Sequence, residues 1–171
     1  AGRFVPFEQF IVIAEQSGLI VVLGRWVLRT ALAAQRDLVA RGFPLRMAVN
    51  VSPVQFRQPA FLDVVRAAIA ENSTDPGLLE LEITESVALS GWGQTIERMQ
   101  AIKALGARIA IDDFGTGFSS LSYLARLPAD CLKIDRSFVH ALDNQLSGTP
   151  IAAMVIQLGK QLGMRVLAEG V

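Results

Sequence analysis

Asn50, Glu82, Asp112, Asp113, Lys133 and Glu169 each stand at the polar end of a short apolar run. The runs are Arg46–Asn50, Leu79–Glu82, Ala107–Asp113, Cys131–Asp135 and Met164–Glu169. Carboxylate and amide oxygens are hard donors of the kind that Mg²⁺ and Mn²⁺ prefer. The adjacent pair Asp112-Asp113 is the strongest local signal, because two neighbouring carboxylates repel unless a cation lies between or beside them. Two metals about 3.5–4 Å apart need a shared ligand, and Asp112 can bridge while Asp113 reaches the second ion. The competing duty of a strand-end aspartate is to cap the next helix. A pair followed by Gly115-x-Gly117 favours the metal over the cap. Glu82 is a metal-ligand candidate, and Asn50 offers a neutral oxygen.

The remaining chemistry is less specific on residue type alone. Lys133 and Asp135 share a strand face; the lysine either balances buried charge or orients a water and stabilises a phosphoryl oxygen. Glu169 adds a carboxylate for a second metal or for proton abstraction. Glu85, beside Thr84 and Ser86, can brace a loop by hydrogen bonds, and Glu80 reads as a structural ion-pair partner on the same face as Glu82. Gly115-x-Gly117-x-x-Ser120 has the look of a dinucleotide fingerprint. Its third glycine is absent, however, and Asp112 and Asp113 would set negative charge beside the pyrophosphate. A Schiff-base role for Lys133 leaves the carboxylates without work.

The intervals from Asn50 to Glu82, Asp112, Lys133 and Glu169 are 32, 30, 21 and 36 residues in turn, each room for a helix and a return. Periodicity predicts helices over 6–16, 21–41, 59–71, 93–105, 119–126 and 150–162. Strands are predicted over 46–51, 78–83, 107–112, 131–135 and 164–169. Alternation of this kind means an α/β domain with a parallel sheet. Functional residues at most strand ends favour a barrel over a doubly wound sheet, whose ligands gather at one switch point. Five units do not close a barrel, so the expectation is one domain over 1–171, incomplete at both ends.

Composition narrows the function. The 171 residues are 51% hydrophobic, with a mean hydropathy of +0.40, which suits strands buried on both faces. No apolar run reaches the length of a membrane span. Sixteen basic residues balance sixteen acidic ones without a basic stripe, which argues against binding a nucleic-acid polymer. The lone Cys131 reads as a core thiol, and His140 as a surface or cap residue.

Together, Asn50-Val-Ser, Glu82-Ile-Thr-Glu85, Asp112-Asp-Phe-Gly-Thr-Gly-Phe-Ser-Ser120, Lys133-Ile-Asp135-Arg-Ser-Phe and Ala168-Glu169-Gly-Val resemble the EAL-domain cyclic-di-GMP phosphodiesterases. Phe4-Val-Pro-Phe-Glu-Gln-Phe-Ile and Ser17-Gly-Leu-Ile add to the likeness, which covers nearly the whole chain. The resemblance implies a (β/α)8 TIM-like barrel with one antiparallel strand. It also implies hydrolysis of cyclic di-GMP to linear pGpG by a water activated with two Mg²⁺ or Mn²⁺ ions. By motif position, Asn50, Glu82 and Asp112 would hold the first ion, and Asp112, Asp113 and Glu169 the second. Lys133 would contact the water, Glu169 would be the candidate base, and Asp135 would lie nearby. Glu85 would steady the loop 113–120, including Phe114, Gly115, Thr116 and Gly117, which in this family borders a homodimer interface. The family's Glu-Ala-Leu signature is expected just before Ala1, and its last strand beyond Val171. Sensory or diguanylate cyclase domains are the expected companions, in a cytoplasmic location, with or without a membrane anchor on the parent protein. The alternative is an inactive EAL-like receptor or dimerisation module.

Overall fold

The computed structural model describes residues 5–115, 121–143 and 148–170. Helices α1 (Phe7–Gln16) and α2 (Leu19–Ala40) lead into strand β1 (Met47–Asn50). Two helices, α3 (Pro53–Phe56) and α4 (Phe61–Asn72), precede β2 (Leu79–Thr84), and α5 (Glu85–Leu89) and α6 (Trp92–Ala104) precede β3 (Arg108–Phe114). Then come α7 (Leu121–Leu124), β4 (Cys131–Ile134), α8 (Arg136–Asp143), α9 (Gly148–Leu162) and β5 (Arg165–Ala168).

All four strand pairings are parallel, and the strands lie in chain order from β1 to β5. A sequential order has no reversal, so no switch-point crevice forms, and the polar strand ends line up along one rim. The fold is therefore the α/β, TIM-like type.

Period-two alternation divides each strand between two environments. Leu79, Leu81, Ile83, Ile109, Ile111, Leu132 and Ile134 join one apolar cluster with the helix residues Leu28, Leu32, Val65, Met99, Ile102 and Val155. The intervening positions, among them Glu80, Glu82, Asp112, Cys131 and Lys133, fall on the opposite face. Cys131 is buried, and that burial raises its thiol pKa.

That second face curls. Arg165 on β5 donates to Glu80 on β2, although β3 and β4 lie between them, and Arg46 approaches the same carboxylate at 3.7 Å. In a flat sheet those strands would stand roughly 14 Å apart. An ion pair across that span is met by bending the sheet toward its polar face, the curvature of a barrel wall. Glu80 thus takes the ion-pair role expected of it.

Several boundaries differ from expectation. The strand expected over 107–112 continues to Phe114 because a register shift interrupts its pairing with β4 between Ile111 and Phe114. The extra residue is accommodated by a bulge. Helix α5 occupies what reads as a loop in the sequence, being too short to show periodicity. The helix expected over 119–126 is seen as Leu121–Leu124. Among the described residues no single helix is long and apolar enough to cross a membrane.

Gly159 marks a close helix–sheet approach. A Cβ built there would stand 2.2 Å from Val166 Cγ2. Gly159→Ala should cost about 1–3 kcal/mol of overpacking. Val166→Ala should recover most of that loss in a double-mutant cycle read by urea unfolding, and additivity would show that the contact does not set the packing.

Candidate active site

The site begins with the ends of β2, β3 and β4. In-register pairing sets Asn50 beside Glu82 and Thr84 beside Asp112. Lys133, one residue before the end of β4, is 5% exposed and reaches three carboxylates. Its Nζ lies 2.9 Å from Glu82 Oε2, 3.1 Å from Asp112 Oδ1 and 2.6 Å from Glu169 Oε1. Strands β2, β3 and β4 and the residue after β5 thus converge on one ammonium.

The electrostatics are lopsided. Burial works against the charge of Lys133, but its hydrogen bonds to Glu169, Glu82 and Asp112 prevail and hold its pKa above the ordinary lysine range. Glu82 shifts upward: burial outweighs its bond to Lys133, and the charges of Asp112 and Glu169 add to the rise. Asp113 is also raised, first by burial and then by the charges of Asp112, Asp135 and Glu169. The asymmetry is physical. The lysine has several anions to itself, whereas each carboxylate has a share of one cation and several like charges as neighbours.

Asp112, Asp113 and Glu169 each offer a carboxylate oxygen, and these atoms lie within 4.8 Å of one another. Regular alternation would send adjacent Asp112 and Asp113 to opposite faces. The bulge prevents this. Asp113 adopts φ +54°, in the left-handed region that aspartate tolerates better than most residues, and its N–H donates to Asp112 Oδ1 at 3.0 Å. Strain of this kind collects at functional sites. The donor set is all hard oxygen with excess negative charge, a fit to divalent cations of the Mg²⁺ or Mn²⁺ type.

Supporting contacts surround the cluster. Glu85, buried at the start of α5, accepts a hydrogen bond from the Gly115 N–H at 3.0 Å. Gly115 has φ +103°, and a Cβ there would stand 2.9 Å from the Phe138 ring, so the turn after β3 demands glycine twice over. Phe114, expected with that loop, is instead the last residue of β3 and is buried in the apolar core. Thr116 and Gly117 lie outside the described residues. Asp135 accepts bonds from the backbone N–H (2.9 Å) and the hydroxyl of Ser137, which hold its pKa below the usual carboxylate range. It caps the entry to α8 while remaining close enough to act on Asp113. His140, on α8, lies 3.2 Å from the carbonyl oxygen of Gly170.

One brace is absent from the sequence reading. The Ser52 hydroxyl donates to Glu15 Oε1 at 2.5 Å and accepts from the Val54 N–H at 3.2 Å. It therefore caps α3 and ties α1 to the segment that follows Asn50. Glu15 lies 37 residues from Ser52, and nothing local in either segment marks the pair. Ser52→Ala should cost about 0.5–2 kcal/mol by denaturant unfolding, and an unchanged midpoint would show the brace to be idle. Removing the central cation is the harsher change. Lys133→Met leaves buried carboxylates uncompensated, at a cost of about 3–5 kcal/mol. Mn²⁺ should stabilise this variant against urea more than it stabilises the parent sequence; an equal effect on both would separate the ion from this cluster.

The EAL domain family model matches residues 1–171. The bifunctional diguanylate cyclase/cyclic di-GMP phosphodiesterase MucR of Pseudomonas aeruginosa is 42% identical over 171 residues, which cover 99% of this chain and 25% of that protein. An uncharacterised signalling protein of Caulobacter vibrioides is 46% identical over 167 residues, or 98% of this chain and 20% of its own length. The solved structure of the PaMucR phosphodiesterase in complex with c-di-GMP superposes with a TM-score of 0.93 at 41% identity, over 96% of this chain and 67% of that one. The chain thus spans a fifth to a quarter of these two curated relatives.

Proposed function

The chain belongs to the EAL domain family, and from that premise we propose that residues 1–171 are part of one domain that hydrolyses cyclic di-GMP to linear pGpG. The observation that carries this reading is the convergence of Glu82, Asp112 and Glu169 on Lys133, with Asp113 beside them. A relative named as a cyclic di-GMP phosphodiesterase, and a structural neighbour with c-di-GMP bound, supply the substrate class.

In this reading Asn50, Glu82 and Asp112 would hold one divalent cation, and Asp112, Asp113 and Glu169 the other, each Mg²⁺ or Mn²⁺. When bound, the two ions supply Lewis-acid charge to the attacking and leaving oxygens of an in-line displacement. The chain's own groups do the rest. Glu169 accepts a proton from the attacking water, whose oxygen forms the new bond to phosphorus. The bond to the ribose 3′ oxygen breaks, and that oxygen takes a proton from solvent as it leaves, which opens the ring to a 5′-phosphorylated linear dinucleotide. Lys133 stays protonated, orients Glu169 through their 2.6 Å contact, and balances charge on the phosphoryl oxygens. Asp112 has the most constrained task, since both ion sites draw on it.

Glu85 fixes the turn at Gly115 and so sets the angle at which Asp112 and Asp113 leave the sheet. We further propose a homodimer, sensory or diguanylate cyclase domains attached in the parent protein, and a reaction located in the cytoplasm.

The test is pGpG formation by the domain with its natural flanking sequence, with and without chelator. Chelation should abolish turnover, and Asp112→Asn or Lys133→Met should each lower it by about 10²–10³-fold, the scale of losing one preorganised charge. Full activity in either variant removes the mechanism. Cyclic di-GMP binding that persists without hydrolysis identifies a receptor instead.

A further inference from the structure

A second concave site lies away from the carboxylates. Its cavity of about 390 Å³ is lined by Phe56, Arg57, Ser90, Gly91, Gln94, Thr95 and Arg98. No carboxylate lines it, and neither arginine forms an ion pair among the described residues. In a chain of zero formal net charge, this places two guanidinium groups around one hollow without a compensating anion.

The walls are organised. Arg98 donates to the carbonyl of Phe56 and lies 5.5 Å from the centre of that ring, so its guanidinium is held in place by a hydrogen bond and a cation–π contact. Arg57 reaches Ser90 Oγ at 3.4 Å from the opposite wall. The hydroxyls of Ser90 and Thr95 already donate to Val87 O (3.0 Å) and Ser90 O (2.5 Å). The donors left for a guest are the remaining guanidinium N–H groups and the Gln94 amide. The start of the thirteen-residue α6, whose cap Gly91 supplies no side-chain hydrogen bond, adds the positive end of a helix dipole.

We propose that this pocket binds a phosphate monoester of sugar-phosphate or mononucleotide size, with the phosphate between Arg57 and Arg98. Arginine pairs favour phosphate through forked, charge-assisted hydrogen bonds. The volume falls within the range of small-molecule sites and exceeds what a bare ion fills. The two walls are also the far ends of the segments that begin at Asn50 and at Glu82. Phe56 closes α3, which starts at Pro53, and Ser90 follows α5, which starts at Glu85. A guest that bridges them therefore clamps both segments behind the carboxylate site.

The binding claim is independent of the catalytic reading and is tested without turnover. The ¹⁵N-labelled domain, with its natural flanking sequence and chelator present, is titrated with ribose 5-phosphate, a nucleoside 5′-monophosphate, inorganic phosphate, or unphosphorylated ribose. Saturable amide shifts at Arg57, Ser90, Gly91, Gln94 and Thr95 are expected with the two esters. Binding should weaken by about tenfold or more in Arg57→Glu and Gln94→Glu, the scale of one lost charged hydrogen bond. Both residues are exposed, so unfolding temperatures should stay unchanged. Shifts that never saturate, that match those from ribose, or that survive both substitutions overturn the proposal. So does inorganic phosphate binding as tightly as the esters, which means an adventitious ion only.

Discussion

One buried ammonium organises the rim of this sheet. Lys133 receives carboxylates from β2, β3 and the residue after β5, and those groups meet only because the strands end level and the sheet curls. The Arg165–Glu80 contact does the same one layer deeper, so two tiers of charge pull the polar face inward while the apolar face is covered by helices. Charge is left over in the upper tier. Glu82 and Asp113 are both raised, first by burial and then by the like charges beside them, and in the proposed reading a pair of divalent cations would offset those charges.

The bulge in β3 is the second requirement. A regular strand can present Asp112 or Asp113 to the rim, but not both. The left-handed turn at Asp113 brings the second carboxylate round, and the grip of Glu85 on Gly115 stabilises the departure from regular pairing. The conformational cost of that turn is offset by packing on either side: Phe114 is buried in the core, and the Phe138 ring closes over Gly115. Local strain and local chemistry therefore meet at Asp113.

Much of this was legible from residue order. Short apolar runs ending in polar or acidic residues marked the strands and the rim together, because in a parallel sheet each strand delivers its last residue to the same edge. Glu80 was readable as an ion-pair partner from its spacing to Glu82. Other features were not legible, for identifiable reasons. A bulge is a pairing event and leaves no mark in one strand alone, so Phe114 was read as loop. Helix α5 is too short for its period to show. The Glu15–Ser52 hydrogen bond and the placement of Arg165 on Glu80 join residues 37 and 85 positions apart, and neither has a local signature. The pocket around Arg57 and Arg98 is assembled from three helical segments and existed only once they packed.

The central claim is that the ends of these strands form one divalent-cation centre. Mn²⁺ titrated into the ¹⁵N-labelled domain, with its natural flanking sequence, reads this directly through paramagnetic broadening. The account predicts that the amides of Asn50, Glu82, Asp112, Asp113, Lys133 and Glu169 lose intensity first and together. Broadening that begins elsewhere on the surface, or that reaches these residues at widely different Mn²⁺ concentrations, contradicts it.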